Sequence, residues 1–188
     1  MSPSDNQRLF VGVPLPEAVR VELIAYLETA LGGRLPGRAV PARNWHLTLR
    51  FLGATDAGRR AGLVDGLRGI RADAFDLSFG GLGAFPRPAR AAVLWVGVDR
   101  GASELRALAA GIEEAARRVG FKPEEKAFSP HLTLSRLHPP ADVRREIASA
   151  APFAGSMRVE AFSLFRSHLG GGPARYEELE RLALAARG

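Results

Sequence analysis

The tetrapeptide His-Leu-Thr-Leu occurs twice in this chain, at His46-Leu47-Thr48-Leu49 and at His131-Leu132-Thr133-Leu134, an offset of 85 residues. The same offset pairs Val11-Gly12-Val13 with Val96-Gly97-Val98. More weakly, it pairs Arg59-Arg60 with Arg144-Arg145, Ser78 with Ser163 and Pro88 with Pro173. Only four histidines and four threonines are present, so composition alone does not produce the second tetrapeptide. Self-similarity at one fixed offset marks a duplicated folding unit. The 188 residues suit one compact domain, so residues 1–188 are expected to form a single two-lobed domain with repeats over about 8–88 and 93–173.

Each half reads alike. Segments 8–13 and 92–98 are rich in Val and aromatic residues, as strands are, and each leads into a helical pattern. The first helix is expected over about 16–30, with Pro16 at its start and Gly32-Gly33 past its end. The second is expected over about 103–119, with Ser103 as N-cap and Gly120 after the end. Motif strands follow at 45–52 and 131–137, then helices at 57–67 and 141–150, then strands near 75–79 and 157–165. A β-α-β-α-β order used twice predicts an α+β fold. It has two lobes related by a pseudo-twofold axis, each a sheet with helices on its outer face, flanking a central cleft. The tail at 176–186 has helix propensity, yet the turn residues 170–173 before it equally suit a hairpin.

In a strand, side chains alternate between faces. His46, Thr48 and Arg50 therefore share one face and Leu47, Leu49 and Phe51 the other, with His131, Thr133 and Ser135 following the same rule. An apolar face buries against helices and leaves a face of His and Thr toward the cleft. Across a twofold axis, two imidazoles can serve as acid and base, and the Thr48 and Thr133 hydroxyls can bind phosphate oxygens. No metal is expected, since neither motif has a second His, Asp or Glu at ligand spacing. The chain lacks a phosphate-binding Gly-rich loop ending in Lys-Ser/Thr, so nucleotide-triphosphate hydrolysis lacks its parts, and no cofactor is expected. Gly80-Gly81-Leu82-Gly83 and Gly170-Gly171-Gly172 read as turns, and His138 and His168 as loop residues.

The absence of cysteine excludes disulfides, thiolate metal sites and thiol nucleophiles. A net charge of +6 favours an anionic partner such as nucleic acid, although Lys occurs only at 122 and 126. Residues 1–10 lack a signal-peptide pattern and no apolar run suits a membrane span, so a cytoplasmic monomer without a membrane partner is expected.

Asn44-Trp45-His46-Leu47-Thr48-Leu49-Arg50-Phe51-Leu52-Gly53 and Phe128-Ser129-Pro130-His131-Leu132-Thr133-Leu134-Ser135-Arg136 resemble the paired motifs of two-histidine phosphoesterases. They are most similar to the RNA 2′,3′-cyclic phosphodiesterases, also called 2′-5′ RNA ligases. The opening 8–13 and the late 162–184, with Gly172-Pro173 and Tyr176, resemble that family too. The resemblance implies opening of a terminal RNA 2′,3′-cyclic phosphate to a 2′-phosphomonoester, with reversible 2′-5′ joining as a minor activity. RNA 3′ ends or cyclic-phosphate nucleotides would be the partners. It further implies His46 as general acid and His131 as general base, Thr48, Thr133 and Arg136 as phosphate-holding groups, and Phe51 as a nucleobase platform. The residues alone leave the acid and base roles interchangeable. Strict alternation sets Arg136 opposite His131, so the strand must end or bulge before it. Leu182 stands where the family often has an aromatic. Alternatives are a noncatalytic RNA- or nucleotide-binding module, and the same chemistry on small cyclic nucleotides or an ADP-ribose cyclic phosphate.

Overall fold

The computed structural model describes residues 6–186. Residues 1–5, half of the stretch read for a leader, and the last two residues of the expected domain lie outside the described part. Strands β1 (Gln7–Pro14), β2 (Arg38–Ala39), β3 (His46–Thr55), β4 (Phe75–Phe85), β5 (Ala91–Val98), β6 (His131–Ala141), β7 (Ser156–Val159), β8 (Ala161–His168) and β9 (Arg175–Ala183) form one antiparallel system. Helices α1 (Glu17–Leu31), α2 (Ala57–Arg68), α3 (Ala102–Arg118) and α4 (Arg144–Ser149) connect them. The strand order is β7-β4-β5-β6-β3-β1-β8-β9, with β2 beside β6.

That order is symmetric about its centre. The repeat strands β3 and β6 meet there, flanked by β1 and β5, then by β8 and β4. The central pair is joined at Leu47↔Leu132. These leucines are repeat equivalents, so the approximate twofold passes between them. The outer strands are exchanged between halves: β4 follows the first motif in sequence but pairs with β5, while β8 follows the second and pairs with β1. Each lobe thus contains a strand from the other repeat.

Apolar alternation determines which face is buried. Leu47, Leu49, Leu132 and Leu134 join Val19, Leu23 and Leu27 of α1 and Leu105, Leu108 and Ile112 of α3 in the main core. Burial of each such side chain contributes roughly 1.5–3 kcal/mol. The helices therefore cover the leucine face, and the histidines lie on the other.

Several expectations are corrected. Ser103 is not the α3 N-cap. Gly101, at φ 84°, takes that place, where a Cβ would lie 2.8 Å from the Asp76 carbonyl oxygen, and Ser103 Oγ instead donates to Glu104 at 2.7 Å. The helix expected over 141–150 shrinks to α4, because β6 runs on through Pro139-Pro140. Gly80-Gly81-Leu82-Gly83 is not a turn but the middle of β4, where a Cβ on Gly83 would run into the Trp95 indole. The strand expected at 157–165 divides at Glu160 into β7 and β8, which pair with different neighbours. His138 and His168 belong to strands rather than loops. The tail is β9, where eight register pairs with β8 override its helix propensity.

The Val-Gly-Val match also slips. Gly12 pairs with Thr48, whereas Trp95, not Gly97, pairs with Thr133. A slip of two residues preserves the faces while changing which side chain sits beside each histidine.

Candidate active site

One residue either side of the Leu47↔Leu132 pair, continuing the antiparallel register places His46 opposite Thr133 and Thr48 opposite His131. All four side chains leave the sheet on the face away from the helices, and all four are half-buried. The two His-Thr pairs flank this single β3–β6 pair, and His131 lies near enough to His46 for its charge to lower the His46 pKa.

Each imidazole is anchored in the same way. His46 Nδ1 lies 2.7 Å from the Asn44 carbonyl oxygen, and His131 Nδ1 lies 2.7 Å from the Ser129 carbonyl oxygen. A carbonyl only accepts, so Nδ1–H donates in both rings. The neutral form then has its lone pair on Nε2, the nitrogen available for proton transfer. Thr48 Oγ1 lies 2.8 Å from His46 Nε2, consistent with the hydroxyl donating to that lone pair. Both rings favour neutrality. Burial lowers the pKa of His46 to about 4, with further lowering by the positive charges of Arg136 and His131. His131 is lowered in the same direction, first by burial and then by Arg136, against an opposing contribution from its Ser129 hydrogen bond.

A bulge in each motif strand accounts for Arg136. The partners of β3 run Gly12↔Thr48 and then Val11↔Arg50, so Leu49 is the extra residue. Those of β6 run Trp95↔Thr133 and then Leu94↔Ser135, so Leu134 is the extra residue. Past each bulge the alternation inverts. Phe51 and Arg136 turn to the histidine face and are exposed, while Arg50 and Ser135 turn into the protein.

Arg50 is therefore not a cleft residue. Its Nε lies 2.6 Å from Glu113 Oε2, its Nη2 donates to the Lys122 carbonyl at 2.5 Å, and its Nη1 bonds Glu124 and the Phe51 carbonyl. Ser135 is fully buried, so it too leaves the expected face.

Several neighbours of the histidines escaped sequence reasoning. Phe10 packs 4.7 Å from the His46 ring, and Tyr176 stands edge-on to it at 5.3 Å. Phe85 stands edge-on to His131 at 5.0 Å, with Trp95 at 6.1 Å. Asn44 Nδ2 donates to the Ala174 carbonyl at 2.6 Å, tying the turn before Tyr176 to the first motif. The lead-in signal was available, since Asn44 and Ser129 are themselves 85 residues apart. They act through backbone oxygens, however, which carry no residue-type signature.

His168 is remote in role, with Nε2 2.6 Å from Glu177 Oε2, and no site contact is formed by exposed His138. Among the described residues, no three His, Asp or Glu side chains converge as a metal-ligand group.

A curled antiparallel sheet carrying two symmetry-related His-x-Thr strands defines the two-histidine phosphoesterase class. The model of the 2′-5′ RNA ligase superfamily matches residues 16–171, and the chain belongs to that superfamily. Its relatives include the RNA 2′,3′-cyclic phosphodiesterase of Aeropyrum pernix, 37% identical over 160 residues and covering 82% of this chain and 90% of that protein. The enzyme of that name from Escherichia coli is 33% identical, covering 96% and 98% respectively. The crystal structure of Escherichia coli LigT complexed with 3′-AMP superposes with a TM-score of 0.81 at 32% identity, covering 95% of this chain and 98% of LigT.

Proposed function

We propose that this chain hydrolyses the 2′,3′-cyclic phosphate at RNA 3′ ends to a 2′-phosphomonoester by acid/base catalysis between His46 and His131. The observation that carries this reading is the pair of identically anchored imidazoles facing one another across Leu47↔Leu132.

His131 Nε2 takes a proton from water, whose oxygen attacks phosphorus. The bond from phosphorus to O3′ breaks, and His46 Nε2–H gives its proton to the departing O3′. One water is consumed, a 3′-hydroxyl and a 2′-phosphate form, and the two imidazoles exchange protonation states, which solvent restores. Thr48, Thr133 and Arg136 hold the nonbridging oxygens, and Phe51 carries the terminal nucleobase.

The lowered His46 pKa suits an acid, because it makes the imidazolium a strong proton donor. The negative charge of the bound phosphate favours that imidazolium at the moment it is needed. Attack by an RNA 5′-hydroxyl in place of water, breaking the same bond to O3′ and leaving a 2′-5′ linkage, is disfavoured in water, so ligation stays minor. Every group in the scheme comes from one chain, so a monomer suffices. Among the described residues, no helix is long and apolar enough to cross a membrane, and a cytoplasmic location fits an enzyme acting on RNA ends.

The test is product analysis on an RNA oligonucleotide ending in a 2′,3′-cyclic phosphate, in buffer containing EDTA. A 2′-phosphate is expected, at a rate unaffected by the chelator. A 3′-phosphate, no turnover, or turnover that returns only with a divalent ion would overturn the scheme.

A further inference from the structure

Beside Phe51 lies a cleft of about 680 Å³ that the chemistry above does not use. Its walls are the strand end at Leu52–Ala54, the helix α2 residue Arg59, and the segment 120–126 leading to His131. We propose that this cleft holds the RNA strand on the 5′ side of the cyclic end, which makes the enzyme prefer RNA chains over mononucleotides. The proposal rests on the functional reading above and extends it to substrate length.

Four observations support it. The volume lies within the range of ligand-sized clefts. The cleft is continuous with the site, because Phe51 lines it while also packing 6.2 Å from Phe10, which in turn contacts His46. Both lysines of the chain, Lys122 and Lys126, are on its rim and exposed, in a protein whose other basic side chains are all arginines. Among the described residues neither has an acidic partner within ion-pair distance. Finally, Arg59 lies over the Phe121 ring at 5.6 Å, and 3.8 Å from Asp56.

The charges decide the class of occupant. Arg50 is shared by Glu124 and Glu113, and Arg59 stands 3.8 Å from Asp56, so the lining charges outside these ion pairs are Lys122 and Lys126 against Glu125. A polyanion with flat bases fits a basic rim beside an exposed aromatic, the combination by which single strands are held without sequence readout. Lysine, a flexible point charge, suits successive phosphates whose positions vary with sequence.

The test compares kcat/KM for a nucleoside 2′,3′-cyclic phosphate with that for an RNA of about ten nucleotides, a length within single-strand site sizes, ending in the same nucleotide. The RNA is expected to be preferred. K122E/K126E should lower kcat/KM for the RNA about tenfold and flatten its salt dependence, as expected for lost phosphate contacts. The mononucleotide rate should stay unchanged, which also reports that the variant is folded. K122R/K126R should retain the preference, and Glu125→Lys should increase it. Equal use of both substrates by the wild type, or an equal loss on both in K122E/K126E, overturns the proposal while leaving the catalytic reading standing. Failure of the wild type to hydrolyse either substrate overturns both.

Discussion

The two halves carry the same His-Leu-Thr-Leu strand, the same Nδ1 anchor two residues upstream and the same bulge after threonine, and then they diverge. At the position the bulge turns to the histidine face, one half has Phe51 and the other Arg136. At the position it turns inward, one has Arg50 and the other Ser135. Shared features supply a matched pair of imidazoles, the groups proposed to transfer protons. Both imidazoles have aromatic neighbours, Phe10 and Tyr176 at His46 and Phe85 and Trp95 at His131. The difference, and with it the polarity of the site, lies in the exposed Phe51 of one half and the Arg136 guanidinium of the other, whose charge acts on both histidines. Under the proposed reading, Phe51 and Arg136 match a substrate with a base at one end and a phosphate at the other in one sense of binding.

The strongest way to break the comparison is to make the histidines unequal. His46→Ala and His131→Ala should each lower turnover of a cyclic-phosphate RNA on the order of a hundredfold or more, the usual contribution of acid/base catalysis. The double variant should lose little more than the worse single one, because both act in one step. His138→Ala and His168→Ala should stay near wild type, with circular dichroism unchanged in all four. A near-normal His46→Ala or His131→Ala beside an inactive control would reduce the repeat to a structural relic.

The diverging pair comes next. Arg136→Ala should lose roughly 1–3 kcal/mol of transition-state stabilisation, a lost charged hydrogen bond, and should weaken inhibition by inorganic phosphate in parallel. Phe51→Ala should raise KM for nucleotide substrates by a comparable stacking contribution of about 1–3 kcal/mol while leaving phosphate inhibition unchanged. If both variants changed phosphate inhibition equally, the assigned polarity of the site would fail.

These residues also mark where sequence reading stops. The repeat, the two histidines and threonines, and the leucine face were legible because alternation is local and holds from His46 to Leu49. It broke at the bulge, which depends on pairing with β1 and β5, strands far away in sequence. Alternation therefore assigned Arg50 to the cleft, and only the resemblance pointed to Arg136. The tail illustrates the same limit, since its helix propensity is local and its pairing with β8 is not. Tyr176 reaches His46 only through that hairpin.

Charge coupling gives a subtler test. In the free enzyme one imidazole must be charged and its partner neutral, so kcat/KM should be bell-shaped, with limbs that belong to the pair. Both pKa values are lowered, His46 to about 4, so the optimum should lie on the acid side of 6.5. Bound phosphate adds negative charge and raises both, so the kcat optimum should lie at higher pH than that of kcat/KM. Arg136→Ala removes a positive charge that lowers both histidines, and should move the kcat/KM bell to higher pH. A bell centred above 7 in the wild type, or one shifted to lower pH in Arg136→Ala, would contradict this electrostatic account.

The smallest effect should come from the inward-turned pair, through stability rather than rate. Arg50 joins β3 to α3 and the 122–124 segment through two carboxylates and a backbone carbonyl, so Arg50→Met leaves Glu113 and Glu124 without their cation. Both carboxylates keep some solvent contact, which limits the loss to about 2 kcal/mol, below that of a fully buried pair. Ser135 occupies the equivalent place with nothing to join. Its Oγ is buried and has no hydrogen-bond partner among the described residues. Ser135→Ala removes a desolvated hydroxyl without opening a cavity, so the gain from deleting an unsatisfied polar atom offsets the poorer strand propensity of alanine. Its denaturation midpoint should match or slightly exceed that of the wild type, with kcat/KM unchanged. A loss above about 1 kcal/mol, the net worth of a typical hydrogen bond, would mean that the Ser135 hydroxyl has a partner in solution and that the two inward positions are both structural ties.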